Sequence, residues 1–168
     1  MVTLITGPSG AGKTTVAKLV AGGIPNSVNI EIDHVKHFLA SSFLYGKSPE
    51  GIEQWKLLGR NLAALVTNYR TAGYAIIMDG WLNQPAIEAF LETANIDIKI
   101  LLLPTFDTAF ERNDGRPGAK ALSKGEIEEH FDYFTSNTFY NEYQRLDSSD
   151  QTAADTAEAI ITIITSQA

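Results

Sequence analysis

The residues with the clearest chemical meaning form a glycine-rich segment near the start of the chain. Residues 7–14 read Gly-Pro-Ser-Gly-Ala-Gly-Lys-Thr and match the pattern G-x-x-x-x-G-K-[ST], whose glycines let successive backbone N–H groups point into one concavity. In such a loop Lys13 reaches the outer phosphates of a nucleotide and the Thr14 hydroxyl binds magnesium. The predicted nucleotide-contacting residues are Gly7, Ser9, Gly10, Ala11, Gly12, Lys13, Thr14 and Thr15.

Acidic residues stand where two later apolar stretches end. Glu31-Ile-Asp33 closes the first stretch, and the alternation of an extended chain would point both carboxylates the same way. Residues 75–80 read Ala-Ile-Ile-Met-Asp-Gly, so Asp79 could hold a magnesium-bound water. A structural interpretation also fits both stretches, because aspartate is a common helix N-cap and Asp-Gly is a common turn pair.

The segments around these residues alternate between strand and helix patterns. Apolar runs predict strands at Val2–Thr6, Ser27–Ile32, Ala75–Met78 and Ile98–Leu103, with a weaker fifth strand near Arg145–Asp147. Strands separated by helices require crossover connections, and hence a parallel sheet covered on both faces with ligands at the carboxyl ends of its strands. The sequence therefore predicts an α/β fold.

Helical patterns fill the gaps between the predicted strands. Apolar residues recur at helical spacing from Ile52 to Tyr69, and Ser123 with Glu126 three residues later forms a capping box. The segment Asn113–Ala121 ahead of that box is polar, basic and rich in glycine, which is typical of a mobile loop. Residues Ala153–Ile164 predict a closing amphipathic helix.

Composition bounds the classes of function. The chain has 168 residues, which suits one domain, and its net charge of −7 lacks the basic surface that nucleic acids require. The absence of cysteine excludes disulfides and thiolate nucleophiles and suits a reducing compartment. Because we find neither a signal-peptide pattern nor a run near the ~20 apolar residues of a membrane span, we expect a cytoplasmic protein without membrane contact.

The glycine-rich loop, the acidic residues that end two predicted strands and the alternation of strands and helices occur here in the order seen in small P-loop kinases. The chain resembles this group, which includes shikimate, gluconate and nucleoside monophosphate kinases and the chloramphenicol phosphotransferases. The resemblance covers most of the chain and implies a single domain over residues 1–168. It implies a three-layer fold, with helices on both faces of a five-stranded parallel sheet of order 2-3-1-4-5, and a lid at about residues 113–122. ATP and Mg²⁺ are the implied cofactors.

The resemblance also assigns roles to the carboxylates. It implies that Asp33 orients or deprotonates the hydroxyl that accepts the phosphoryl group. Glu31 then belongs to the water shell of the metal, with Thr14 and Asp79 as the other metal-site residues. The chemistry of phosphoryl transfer supports this assignment, because catalysis depends mainly on positioning the nucleophile and on neutralising the charge of the phosphate oxygens.

Two arginines follow the fourth predicted strand. Residues 111–117 read Glu-Arg-Asn-Asp-Gly-Arg-Pro and resemble the pair of arginines four apart before a proline in shikimate kinases. The resemblance implies that Arg112 stacks on the adenine and that Arg116 closes onto the transferring phosphate, two tasks for which a planar guanidinium is suited. Lys13, Asp33 and Arg116 are therefore the predicted catalytic residues.

Other residues depart from the shikimate kinases. Asp79-Gly-Trp81 replaces their glycine triplet, and no arginine occupies the helix after the lid, which disfavours shikimate as the acceptor. Arg60 points away from the apolar stripe of its helix and is expected in solvent. Trp81 and the aromatic residues between His34 and Trp55 either line an acceptor pocket or pack in the core.

The expected function is an ATP-dependent kinase that transfers the γ-phosphoryl group to a hydroxyl of a small molecule, a metabolite or an antibiotic. A nucleoside or nucleotide kinase and a nucleotide-binding regulatory NTPase are the alternatives. The sequence leaves open the acceptor, the choice between ATP and GTP, and whether the protein is a monomer or a homodimer. It also leaves open whether Asp33 or Asp79 is the base.

Overall fold

The fold is built on a parallel β-sheet. The computed structural model describes residues 1–115 and 122–167. Within them, five strands lie side by side in the order β2-β3-β1-β4-β5, and every pair is parallel. The strands are β1 (Val2–Thr6), β2 (Ser27–Glu31), β3 (Ala75–Asp79), β4 (Ile98–Leu102) and β5 (Gln144–Leu146). The predicted fold class, the strand positions and the sheet order are confirmed.

Helices connect the strands and cover both faces of the sheet. Their bounds are α1 (Lys13–Gly23), α2 (Ile32–Lys36), α3 (Pro49–Thr71), α4 (Gln84–Leu91), α5 (Phe106–Asp114), α6 (Lys124–Ser136) and α7 (Ala153–Ser166), with a 3-10 turn at Thr138–Glu142. The predicted capping box at the start of α6 is present, and Thr152 with Asp155 forms another one at the start of α7. None of the described helices is long and apolar enough to cross a membrane.

Alternating strand residues divide the core into two layers. One layer packs Leu4 and Met78 of the sheet against α3 and α4 and includes Trp55, which is fully buried. The other packs Ile5 and Ile100 against α1 and α7. Both faces of the sheet are covered, as the near-continuous apolar runs of its strands require.

The carboxyl edge of the sheet differs from the sequence prediction at one point. Strand β2 ends at Glu31, which caps the N-terminus of α2, so Asp33 lies in the first helical turn and not on the strand. The alternation of an extended chain therefore does not reach Asp33, and the two carboxylates have different partners, Lys18 of α1 for Glu31 and Lys36 for Asp33. The prediction that both carboxylates project the same way from the strand is wrong.

The segment predicted as a lid also starts differently. Helix α5 continues through Asn113 and Asp114, and Asn113 is buried, with 2% of its surface exposed. The Asn113 amide donates to the Leu122 carbonyl at 3.2 Å, and its oxygen accepts a bond from the Ser9 hydroxyl at 3.4 Å. The base of the predicted lid is thus tied to the glycine-rich loop. Arg116 and Lys120 lie outside the described residues.

Candidate active site

The glycine-rich loop connects β1 to α1 and has the backbone geometry of a phosphate cradle. Gly7, Gly10 and Gly12 have φ angles of 148°, 80° and 86°, a region that other residues rarely adopt. A Cβ on Gly7 would overlap the Leu102 carbonyl oxygen, and one on Gly10 would overlap that of Ala109. The loop therefore needs glycine here for space as well as for conformation, and it opens onto the N-terminus of α1, where the helix dipole favours anions.

Thr14 and Asp79 meet at the mouth of this loop. The Thr14 hydroxyl donates to Asp79 Oδ2 at 2.7 Å, while Asp79 Oδ1 is buried and has no hydrogen-bond partner among the described residues. Burial raises the pKa of the Asp79 carboxyl, and the Thr14 hydrogen bond and the nearby Asn29 amide oppose part of that rise. A buried carboxylate oxygen without a donor, beside a threonine hydroxyl, suits a hydrated divalent cation.

Magnesium would find few protein ligands here. No group of three or more His, Cys, Asp or Glu side chains in residues 1–115 and 122–167 is arranged to hold a metal ion. Magnesium keeps several waters and shares substrate phosphates in such sites, so one hydroxyl and one carboxylate fit that chemistry. Glu31 lies opposite Asp79 in the strand register, but its carboxylate is bound to Lys18 at 2.9 Å.

Arg112 lies beside the turn that follows β5. Its guanidinium donates to the Ser148 carbonyl at 2.8 Å and to the Ser148 hydroxyl at 3.3 Å. A cavity of about 280 Å³ opens between this pair, the turn and the glycine-rich loop, with Gly12, Thr15 and Gln151 also in its lining. Arg112, which the resemblance places against the adenine, therefore lines a cavity that adjoins the glycine-rich loop.

A larger cavity opens on the other side of the loop. It measures about 660 Å³ and runs from Lys13 and Thr14 to the Asp33 carboxylate. Four aromatic residues contribute to its wall, Tyr45, Trp81, Tyr133 and Phe134, together with Lys36 of α2 and with Glu129 and His130 of α6. Trp81 packs edge-to-face against Tyr133 at a centroid distance of 5.4 Å. Both interpretations of Trp81 match the structure, because it lines the cavity and also packs against the buried core at Trp55.

Asp33 lines this cavity and forms an ion pair with the buried ammonium of Lys36. Its Oδ1 accepts a hydrogen bond from Lys36 Nζ at 2.7 Å, and 66% of its side chain remains exposed. Burial alone would raise the pKa of Asp33, but Lys36, Lys13 and His37 together bring it below the ordinary value. Asp33 is therefore a charged acceptor of hydrogen bonds and a weak proton acceptor.

Sequence reasoning missed two parts of this cavity. Lys36 sits three residues after Asp33, a helical spacing that signals a pair only once Asp33 is known to lie in a helix. Glu129, His130 and Tyr133 lie on α6 outside the apolar stripe that its pattern indicated. Burial lowers the pKa of His130, and Lys13 lowers it further.

Lys13 and Arg60 complete the set of predicted residues. Lys13 Nζ donates to the Pro8 carbonyl at 2.9 Å, within the loop itself. Arg60 is exposed on α3, as the apolar stripe of that helix predicted. Asp33 and Lys36 lie on the helix that follows β2, and Arg112 lies on the helix that follows β4. Asp79 ends β3 at the same carboxyl edge, where parallel sheets bind ligands.

The chain is similar to proteins of known structure, and this similarity is seen in the fold and not in the sequence searches. No protein-family model matches the sequence, and a search of curated proteins finds no match. The tunicamycin resistance protein of Deinococcus radiodurans is 18% identical with a TM-score of 0.69, over 98% of this chain and 96% of that one. A sugar kinase from Janibacter is 19% identical with a TM-score of 0.70, over 97% and 93%.

Shikimate kinase from Acinetobacter baumannii, solved in complex with shikimate, is 17% identical with a TM-score of 0.63, over 98% of this chain and 93% of that one. At such identities the shared property is the fold, which agrees along nearly the whole length of each chain. The sheet order and the glycine-rich loop after β1 agree with it. The chain therefore has the fold of the small P-loop kinases.

Proposed function

We propose that this protein is an ATP- and magnesium-dependent kinase that phosphorylates a hydroxyl group of a small molecule. One observation carries the proposal: a single cavity of about 660 Å³ joins the phosphate loop, at Lys13 and Thr14, to a charged carboxylate at Asp33. Such a cavity can hold an acceptor between the nucleotide phosphates and a group that orients its hydroxyl. A nucleotide switch has no need of this second group.

Each side chain has a distinct task in this proposal. The loop N–H groups and Lys13 bind the outer phosphates, and Arg112 lies against the base in the smaller cavity. Thr14 and Asp79, with Glu31 near them, hold the magnesium shell. When bound, MgATP supplies the transferable phosphoryl group and the cation neutralises part of its charge.

Asp33 orients the acceptor rather than strongly deprotonating it. A carboxylate whose pKa lies below its ordinary value is a poor base at neutral pH but a strong hydrogen-bond acceptor. Because the transition state of phosphoryl transfer is largely dissociative, positioning matters more than early proton removal. Of the two candidate bases, Asp33 faces the acceptor space and Asp79 faces Thr14, so we assign the acceptor to Asp33.

The wall of the cavity indicates the kind of acceptor. Tyr45, Trp81 and Tyr133 present ring surfaces, which suit a molecule with a ring or an apolar body that carries the hydroxyl. Arg116 is proposed to close onto the transferring phosphate from the lid, which excludes water as a competing acceptor. The lid and the core are proposed to form one domain.

The test is ADP release from MgATP in the presence of a panel of sugars, hydroxy acids, nucleosides and aminoglycoside or phenicol antibiotics. We expect a large increase in rate with at least one compound class, and its loss in Lys13→Ala. A nucleoside as the active class would select the nucleoside kinase alternative. A slow rate that no acceptor changes would contradict the proposal and favour a regulatory NTPase.

A further inference from the structure

Lys36 is a buried cation in the wall of the acceptor cavity. Only 3% of the residue is exposed, and its Nζ lies 4.9 Å from the ring centroid of Trp55, 5.7 Å from Tyr45 and 5.8 Å from Trp81. These three rings form what we call the aromatic cage. The ammonium reaches out of the cage to Asp33 Oδ1 at 2.7 Å.

A lysine in this place is a poor choice for stability alone. Desolvating an ammonium is costly, and a buried ion pair offsets that cost only with good geometry. Rings that face the cation return only part of it. An apolar residue such as methionine would fill the cage without this cost, so the charge itself calls for a functional explanation.

The geometry points to Lys36 as a positioning residue, which holds the Asp33 carboxylate in a fixed direction so that its second oxygen receives the acceptor hydroxyl. This inference rests on the proposed kinase function. The cage restrains the ammonium and the ammonium binds Oδ1, while Asp33 lines the cavity with 66% of its side chain exposed. Lys36 acts through Asp33 and is not itself assigned to the reacting atoms.

Other charged groups lie near Asp33 and also affect its pKa. His37 at the C-terminal end of α2 and Lys13 at the loop also lower the pKa of Asp33. Burial, and then the charge of Asp33, raises the pKa of the Tyr45 phenol. Glu129 and His130 of α6 line the same cavity. Lys36 has the largest lowering effect of these groups on Asp33. Its loss should therefore not be fully offset by the others.

The first experiment needs no acceptor. The pKa of the Asp33 carboxyl is measured by NMR in wild type, Lys36→Met, Lys36→Gln and Lys36→Arg, with Lys56→Met as the matched control. Lys56 pairs with Glu53 at the same spacing and at 2.8 Å, but on the exposed surface of α3. We expect a higher Asp33 pKa in the Met and Gln variants, little change in Arg, and none in the control.

Folding of each variant is checked by tryptophan fluorescence. Both tryptophans of the chain belong to the cage, so their emission reports whether it stays packed. Measuring two neutral variants guards against one that fails to fold. If the Asp33 pKa does not rise in a folded neutral variant, or if neither neutral variant folds while Lys36→Arg does, the charge is structural and the inference is wrong.

The second experiment uses the acceptor found in the panel assay. We expect kcat to fall about 10- to 100-fold in Lys36→Met, because a small displacement of a group that orients the substrate lowers the rate by this order. KM for ATP should not change. The acid limb of the pH profile should move to higher pH, because Asp33 must stay ionised to work and its pKa has risen. Lys36→Arg should recover most of the rate.

The outcomes separate this inference from the proposed function. If no acceptor is phosphorylated but the Asp33 pKa rises in the neutral variants, the kinase proposal fails while the Lys36–Asp33 coupling stands. If an acceptor is phosphorylated and Lys36→Met keeps both its kcat and its acid limb, the kinase proposal stands and the positioning role is refuted.

Discussion

Replacing Asp33 by asparagine should destabilise the fold as well as the reaction. The change leaves the Lys36 ammonium buried at 3% exposure without its carboxylate. Breaking a buried pair by removing one partner costs roughly 3–5 kcal/mol. Here 66% of the Asp33 side chain is in solvent, which screens the pair, so we expect a loss of about 2 kcal/mol. For a domain of this size that loss lowers Tm by about 4–8 °C.

The assay is urea unfolding of wild type, Asp33→Asn, Lys36→Met and the double variant. Lys36→Met should stay within about 1 kcal/mol of wild type, because a thioether fills the aromatic cage and Asp33 becomes a solvated carboxylate. The double variant should recover most of the stability that Asp33→Asn loses. A stable Asp33→Asn protein, or a double variant no more stable than it, would refute this reasoning.

This expectation affects how Asp33 variants are interpreted. A loss of turnover in Asp33→Ala combines a lost acceptor ligand with a strained, unpaired lysine. Asp33→Asn in the Lys36→Met background removes the second effect. The remaining loss of rate then reports the role of Asp33 toward the acceptor.

Three further predictions concern other parts of the site and fold. Arg112→Ala should weaken ATP binding by about 1–2 kcal/mol, or 5- to 30-fold, in a fluorescent-nucleotide titration. Gly59→Ala should cost about 1–3 kcal/mol in urea unfolding, because its Cβ would overlap a carbonyl oxygen of α4, whereas Gly125→Ala on α6 meets open space and should not destabilise. Arg116→Ala should lose roughly 2–4 kcal/mol of transition-state stabilisation in kcat with little change in ATP affinity, while Arg60→Ala should match wild type; equal turnover in both arginine variants would contradict the assignment to the lid.

The phosphate loop and the sheet could be predicted because local sequence determines them. The glycines at 7, 10 and 12 adopt backbone angles that the motif requires, and the apolar runs that predicted β1 and β3 form buried strands. The sheet order did not follow from the strand patterns. It came from the resemblance to a family, and the pairing of β1 with both β3 and β4 confirms it.

The acceptor side could be predicted only in part, because distant segments build it. Asp33 was identified, but its direction was wrong because β2 ends at Glu31 and Asp33 lies in α2. Lys36 gave no signal, since a lysine near the end of a short helix looks like a solvated charge. Its burial depends on Trp55 from α3 and Trp81 after β3, and no local pattern joins these segments.

The most direct test of the kinase account is to identify the product of phosphoryl transfer. The protein is incubated with MgATP and the acceptor class selected by ADP release, and ³¹P NMR follows the phosphorus. The account predicts a phosphomonoester that appears in step with ADP in wild type and is absent in Lys13→Ala. Inorganic phosphate as the only product alongside ADP, at a rate that no acceptor changes, would contradict it.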